Sequence, residues 1–102
     1  MIFFKKYATE NGDIIAMCDE ELIGRVLTGG KITVDLAKYA SFYKGDLVSE
    51  PEAKKMVSEG DLCSANVVGE RSVAVLVELG IAGRDSAMLL GDVPFVQVYK
   101  TV

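Results

Sequence analysis

The chain has no histidine and no tryptophan, and only two cysteines and two prolines in 102 residues. The missing histidine removes the commonest general base at neutral pH, the Ser-His and Cys-His nucleophile pairs, and the commonest transition-metal ligand. Most routine hydrolase mechanisms go with it. Cys18 and Cys63 are too few for a disulfide framework, and no Cys-x-x-Cys or Cys/His cluster offers a zinc site. Both read as small apolar core residues, and no metal or cofactor is expected. No apolar run approaches the roughly 20 residues that span a bilayer, and no basic segment followed by an apolar stretch and a cleavage site opens the chain. The expectation is a cytoplasmic protein with no membrane partner.

Positive charge is also scarce: 11 Lys and Arg stand against 15 Asp and Glu, a formal net charge of −4. Binding a phosphate backbone by charge alone needs clustered Lys and Arg, so the net charge argues against nonspecific nucleic-acid binding of that kind and leaves room for a local basic patch. What remains is an ordinary globular balance, half hydrophobic and a quarter charged. A chain of this length buries enough surface for one core without staples, so residues 1–102 are read as one domain.

Met1 to Ala8 and Asp13 to Cys18 are apolar-rich runs separated by Thr9-Glu10-Asn11-Gly12, and Asn-Gly is a strong hairpin signal. Asp19 before Glu20, Glu21, Leu22 and Ile23, with Val26 and Leu27 one turn on, predicts a short helix capped by Asp19 and ended near Gly29-Gly30. Ile32, Val34 and Leu36 alternate with polar residues, as in a strand with one wet face. Ala37 to Val48 has no sustained period and reads as a partly buried loop. Ser49-Glu50-Pro51-Glu52 is a capping box, and the helix it opens carries Ala53, Met56 and Val57 on one stripe and ends at Gly60.

Leu62 to Val68 suits a strand. Ser72 to Leu79 is apolar on nearly every side; Glu70 in its first turn, Gly80 past its end and Ile81 placed to meet Leu76 favour a helix. Arg84-Asp85-Ser86 reads as a turn, and Ala87 to Leu90 and Phe95 to Lys100 as two closing strands. The fold class is α+β: a mixed, mainly antiparallel sheet opened by a β-hairpin, with two or three helices packed on it.

Three places invite a chemical reading. Gly30-Lys31 resembles the end of a phosphate loop, but Arg25 and Ile32 occupy the positions of its first glycine and its hydroxyl residue, so the motif fails. Asn66-Val67-Val68-Gly69-Glu70-Arg71 runs from strand to helix through glycine, the order that aims free amides at an anion, with Arg71 beside them and Glu70 opposing. A glycine at such a junction equally serves turn geometry. Tyr39, Phe42 and Tyr43, with Lys38 and Lys44 interleaved, fit stacking on exposed bases with the lysines on phosphate; they also fit aromatics that cover the sheet while the lysines stay solvated. Lys5, Lys6, Tyr7, Tyr99 and Lys100 enlarge that patch if the first and last strands are neighbours. No catalytic constellation emerges, since the acidic trio Asp19, Glu20 and Glu21 is what the dipole of a helix start favours.

Four segments, Cys18-Asp19-Glu20-Glu21-Leu22-Ile23-Gly24, Ser41-Phe42-Tyr43-Lys44-Gly45, Asn66 to Arg71, and Val93-Pro94-Phe95-Val96-Gln97-Val98, together resemble the archaeal family catalogued as domain of unknown function 424. That resemblance implies a free-standing archaeal, cytoplasmic domain associated with translation, and it carries over no catalytic residues. The leading expectation is a non-enzymatic interaction module that binds RNA or a translation-associated protein through Phe42, Tyr43, Lys44, Asn66, Gly69, Glu70 and Arg71. The alternatives are a binder of a small anionic ligand, or an enzyme, at residues 66–71, and a structural homo-oligomer paired through a sheet edge.

Overall fold

Two apolar-rich runs joined by a tight turn pair most readily with each other, and the computed structural model, which describes residues 1–99, begins that way. Strand β1 (Ile2–Thr9) and strand β2 (Gly12–Asp19) are antiparallel from Ile2 opposite Asp19 to Thr9 opposite Gly12. The turn residues are therefore Glu10 and Asn11, one position earlier than the Asn-Gly reading implies. Gly12 has a φ of +121°, and a Cβ there would lie 2.7 Å from the Asp61 carbonyl oxygen. Close backbone approach, as much as turn geometry, requires the glycine.

The remaining elements are β3 (Val26–Gly29), β4 (Ile32–Asp35), α1 (Ala40–Tyr43), β5 (Asp46–Val48), α2 (Glu50–Glu59), β6 (Leu62–Val68), α3 (Glu70–Glu78), β7 (Met88–Leu90) and β8 (Val93–Tyr99). Six strands form one sheet in the order β5-β1-β2-β6-β8-β7, and β3 with β4 forms a separate hairpin. Every pairing in the large sheet is antiparallel except β2 with β6. The architecture is α+β, as expected. Lys100, assigned to the last strand and to the basic patch by sequence, lies outside the described residues. Among those described, no helix is long and apolar enough to cross a membrane.

Alternation along the strands divides the core in two. One face carries Ile2, Phe4, Ile15, Met17, Ala65, Val67 and Val96, all buried under α2 and α3. The other carries Ala16, Cys18, Val68 and Phe95, covered by Leu22 after β2, Leu27 of the hairpin, Leu36 just past it and Tyr43 of α1. Helix α2 has both halves of its capping box, with the Ser49 hydroxyl accepting from the Glu52 amide at 3.2 Å and the Glu52 carboxylate accepting from the Ser49 amide at 3.2 Å. Helix α3 ends in a Schellman motif: the Ile81 amide donates to the Leu76 carbonyl at 2.9 Å and the Gly80 amide to Val77 at 3.0 Å, with Gly80 at φ +72°.

Two expectations are corrected. The helix predicted to run from Asp19 to Gly29-Gly30 is a single 3-10 turn, Glu20–Leu22, followed by strand β3. Gly24 leaves helical space at φ +92°, and Asp19 makes no side-chain bond to the turn it precedes. Gly30, at φ +59°, turns the β3–β4 hairpin, where Gly29 faces Ile32. The segment 37–48 read as a loop holds α1 and β5. Its helix lacks a side-chain cap and its strand spans 3 residues, lengths too short for periodicity to register.

Candidate functional site

The 66–71 junction separates into two environments. Asn66 lies within β6, on the face shared with the hairpin, because its neighbour Val67 is in the helix-side core. Gly69 sits at the start of α3, buried, and its amide donates to the Pro94 carbonyl at 2.9 Å. The helix start that was a candidate anion site already holds a carboxylate: Asp19, 3% exposed, accepts from the Arg71 amide at 3.1 Å, the Ser72 amide at 2.9 Å and the Ser72 hydroxyl at 2.8 Å. A Cβ on Gly69 would come within 2.3 Å of that carboxyl carbon. Glycine is required so that Asp19 can cap α3 from a distant strand.

The shallow cleft beside this cap is bordered by Asp19, Glu21, Glu70 and Asp92, with Arg71 the one cation among its lining residues. Arg71 is paired with Glu21, while Glu70 is 3.5 Å from Arg84. Burial works to lower the Arg71 pKa, but the Glu21 hydrogen bond and the charges of Asp19, Glu21 and Glu50 hold it above its ordinary value. A hydrogen bond from its own backbone, then Arg71, keeps the Glu21 carboxyl below its usual range. The Gly69, Arg71 and Ser72 amides and one guanidinium nitrogen are thus engaged internally, among carboxylates that repel an anion, while Arg71 Nε is buried without a partner among the described residues.

The aromatic segment is built on β1. The Tyr7 hydroxyl donates to the Phe42 carbonyl at 2.9 Å and Lys5 Nζ to the Ser41 carbonyl at 2.7 Å, which fixes the short α1 against the sheet. The Tyr7 and Phe42 rings stack at 5.3 Å and 12°, and Tyr43 meets Phe42 edge-on at 5.0 Å. Tyr43 is buried, so its ring is core rather than a platform for a ligand; Lys44 is exposed, and Tyr39 is 53% exposed with Lys38 Nζ over its ring. Burial, then the nearby Cys18, pushes the Tyr43 phenol up to about 12. Burial, then Asp19 and Glu21, pushes the Cys18 thiol up to about 12, which leaves it unreactive at neutral pH.

A cleft of about 410 Å³ opens between β4, α1 and β8, with Val34, Phe42, Met88, Phe95 and Gln97 among its walls. Register runs one row from Lys5 through Ala16, which is buried, to Asn66 and Gln97, and the next from Tyr7 through Ile14 and the buried Ser64 to Tyr99. Gln97 Nε2 donates to Asn66 Oδ1 at 2.9 Å. Phe42 and Asn66, chosen separately from sequence, therefore border one surface, while Glu70 and Arg71 belong to another. The first and last strands are not neighbours, since β2 and β6 lie between them. Even so, Tyr7 and Tyr99 point to the same face roughly 14 Å apart, three strand spacings. Lys6 faces the other way and stands 3.9 Å from Asp13. Sequence reading passed over Gln97; the signal was its place between Phe95 and Tyr99 on a strand of period two. Among the described residues, no three His, Cys, Asp or Glu side chains are grouped to hold a metal.

The fold and this surface define a small α+β domain with its two longer helices on one face of its sheet and a partly open, aromatic and amide-bearing opposite face. The chain belongs to the family described as "Protein of unknown function (DUF424)", which it matches over residues 7–101. It is similar to the crystal structure of an uncharacterized conserved protein from Methanopyrus kandleri, with 28% identity and a TM-score of 0.80 over 96% of this chain and 90% of that one. No curated protein matches it.

Proposed function

We propose that this protein is a non-enzymatic module that binds single-stranded RNA, in association with translation, through the hairpin-side face of its sheet. The observation that carries the reading is the place of the exposed Gln97, which lines the cleft with Tyr39 and Phe42, is bonded to Asn66 and stands two residues before Tyr99; Tyr39 and Tyr99 are 53% and 67% exposed. Aromatic rings on a sheet accept unstacked bases of any sequence, amides reach base edges, and a few lysines suffice for phosphates when stacking supplies much of the affinity. An acidic protein can bind RNA in this way because its charge is not the main term. The Methanopyrus neighbour supports reading the chain as archaeal, and a translation role as cytoplasmic.

The test is fluorescence anisotropy of labelled 12-nucleotide RNAs across a salt series. Saturable binding is expected, with a slope of log K against log salt of about −2, from the three lysines Lys5, Lys38 and Lys44 at ~0.7 each. Phe42→Ala, which removes the ring stacked on Tyr7, is expected to weaken binding at least tenfold. The absence of saturable binding, or unchanged affinity in the folded Phe42→Ala protein, refutes the reading.

A further inference from the structure

We infer that the cleft between β4, α1 and β8 receives a single unstacked base that carries an exocyclic amino group, adenine or cytosine, in preference to uracil; this rests on the RNA reading above and assigns its specificity. The cleft's volume of about 410 Å³ falls within the roughly 300–1,000 Å³ of small-ligand sites, and its walls include Phe42, Phe95 and Met88. Flat apolar walls suit a planar ring. The same lining argues against a phosphate: no lysine or arginine lines the cleft, whereas Asp35 borders it. One Asp35 oxygen accepts from the Ala37 and Lys38 amides at 3.0 and 2.9 Å. The backbone of the strand therefore stays outside, near the lysines, while a base turns in.

Which base follows from the polar groups at the wall. Gln97 uses Nε2 to hold Asn66 Oδ1, which orients its amide and leaves Oε1 and a second Nε2 hydrogen as an acceptor and donor side by side. That pair matches the N6 and N7 edge of adenine. The carboxylate of Asp35 is a further acceptor for an exocyclic amino group. An unpaired cytosine offers the same donor and acceptor side by side at N4 and N3, whereas uracil sets a carbonyl oxygen where the Asp35 carboxylate favours an amino group. Adenine and cytosine are therefore expected to bind more tightly than uracil.

The experiment titrates oligo-A, oligo-C and oligo-U into the whole protein and into Gln97→Ala, while following the methyl resonances of Met88 against those of Met17, which is buried on the helix side. Expected are a preference of about tenfold for oligo-A over oligo-U, a Met88 shift with oligo-A, an unmoved Met17, and in Gln97→Ala an oligo-A affinity that falls toward that of oligo-U. Equal affinity for the three RNAs, or binding that leaves Met88 unmoved, overturns the base pocket and leaves RNA binding standing. If none of the RNAs binds, the functional reading itself falls.

Discussion

The two faces of the sheet solve different problems with the same strands. Under α2 and α3 the apolar positions of β1, β2, β6 and β8 meet helix residues such as Val57, Val73 and Leu76 and are closed to solvent. On the opposite face the cover is a two-stranded hairpin and a four-residue helix, which reach across only one end. Beyond them Gln97 and Tyr99 are exposed. A continuous helical layer maximises burial and leaves nothing for a partner; a partial cover gives up burial and creates a cleft at its margin. Burial is therefore concentrated on the helix side, the proposed recognition falls on the hairpin side, and this division can be broken experimentally.

The largest effect is expected at Asp19, where β2 ends and α3 begins. Asp19→Ala strips acceptors from the Arg71 and Ser72 amides and from the Ser72 hydroxyl, two of them buried bonds. Leaving a buried donor unpaired costs about 1–3 kcal/mol, so a loss of about 3 kcal/mol in urea denaturation is expected. Gln97→Ala, on the exposed part of the other face, is expected to change stability by less than about 0.5 kcal/mol. Comparable losses in the two variants would show that the faces do not divide the work.

Next in size is an alkaline transition under the hairpin-side cover. The Tyr43 phenol and the Cys18 thiol are both pushed up to about 12, by burial first. A group whose folded pKa is raised stabilises the native state fully below its unfolded value and loses that contribution as pH climbs through the folded value. Stability is therefore expected to fall between about pH 9 and pH 12, with one tyrosine ionising near the top of that window in an absorbance titration at 295 nm. If every tyrosine ionises near its ordinary pKa while the chain is folded, the cover is open above Tyr43 and the comparison of faces weakens. Tyr43→Phe should remove the late-ionising tyrosine, since it keeps the ring and deletes the hydroxyl.

Local chemistry was legible in the sequence, and partnerships across distance were not. Ser49 and Glu52 announce the start of α2, and Gly80 with Ile81 the end of α3, because each motif closes within a few residues. Asp19 looks like a cap in sequence and is one, but for the helix that starts at Glu70, and no spacing rule links the two. Gly29 was read as a helix end; a Cβ there would lie 2.1 Å from the Leu89 carbonyl oxygen, so it is a contact with β7. The homo-oligomer reading asks for a free sheet edge. The edges are β5 and β7, each 3 residues long, and short edges resist pairing. Phe42 and Tyr39 are near each other in sequence and group there; Tyr7 and Asn66 are singled out but assigned to other arrangements, and Gln97 is passed over, because only strand register relates these three.

The smallest expected effect is at Arg71, and it bears on where the surface ends. The side chain pairs with Glu21 at a solvent-exposed position, 38% and 57% exposed respectively, and such pairs contribute less than about 1 kcal/mol. Arg71→Ala keeps the backbone amide that Asp19 accepts from, so the start of α3 survives and stability should fall by no more than that amount. RNA affinity should stay within about twofold, because α3 packs on the face opposite Gln97 and the guanidinium is engaged by Glu21. A tenfold loss of affinity in Arg71→Ala with stability intact would mean that the strand wraps past the end of β6 onto the junction. The two regions would then form one interface, held apart in the free protein by the Glu21 pair that RNA would have to displace.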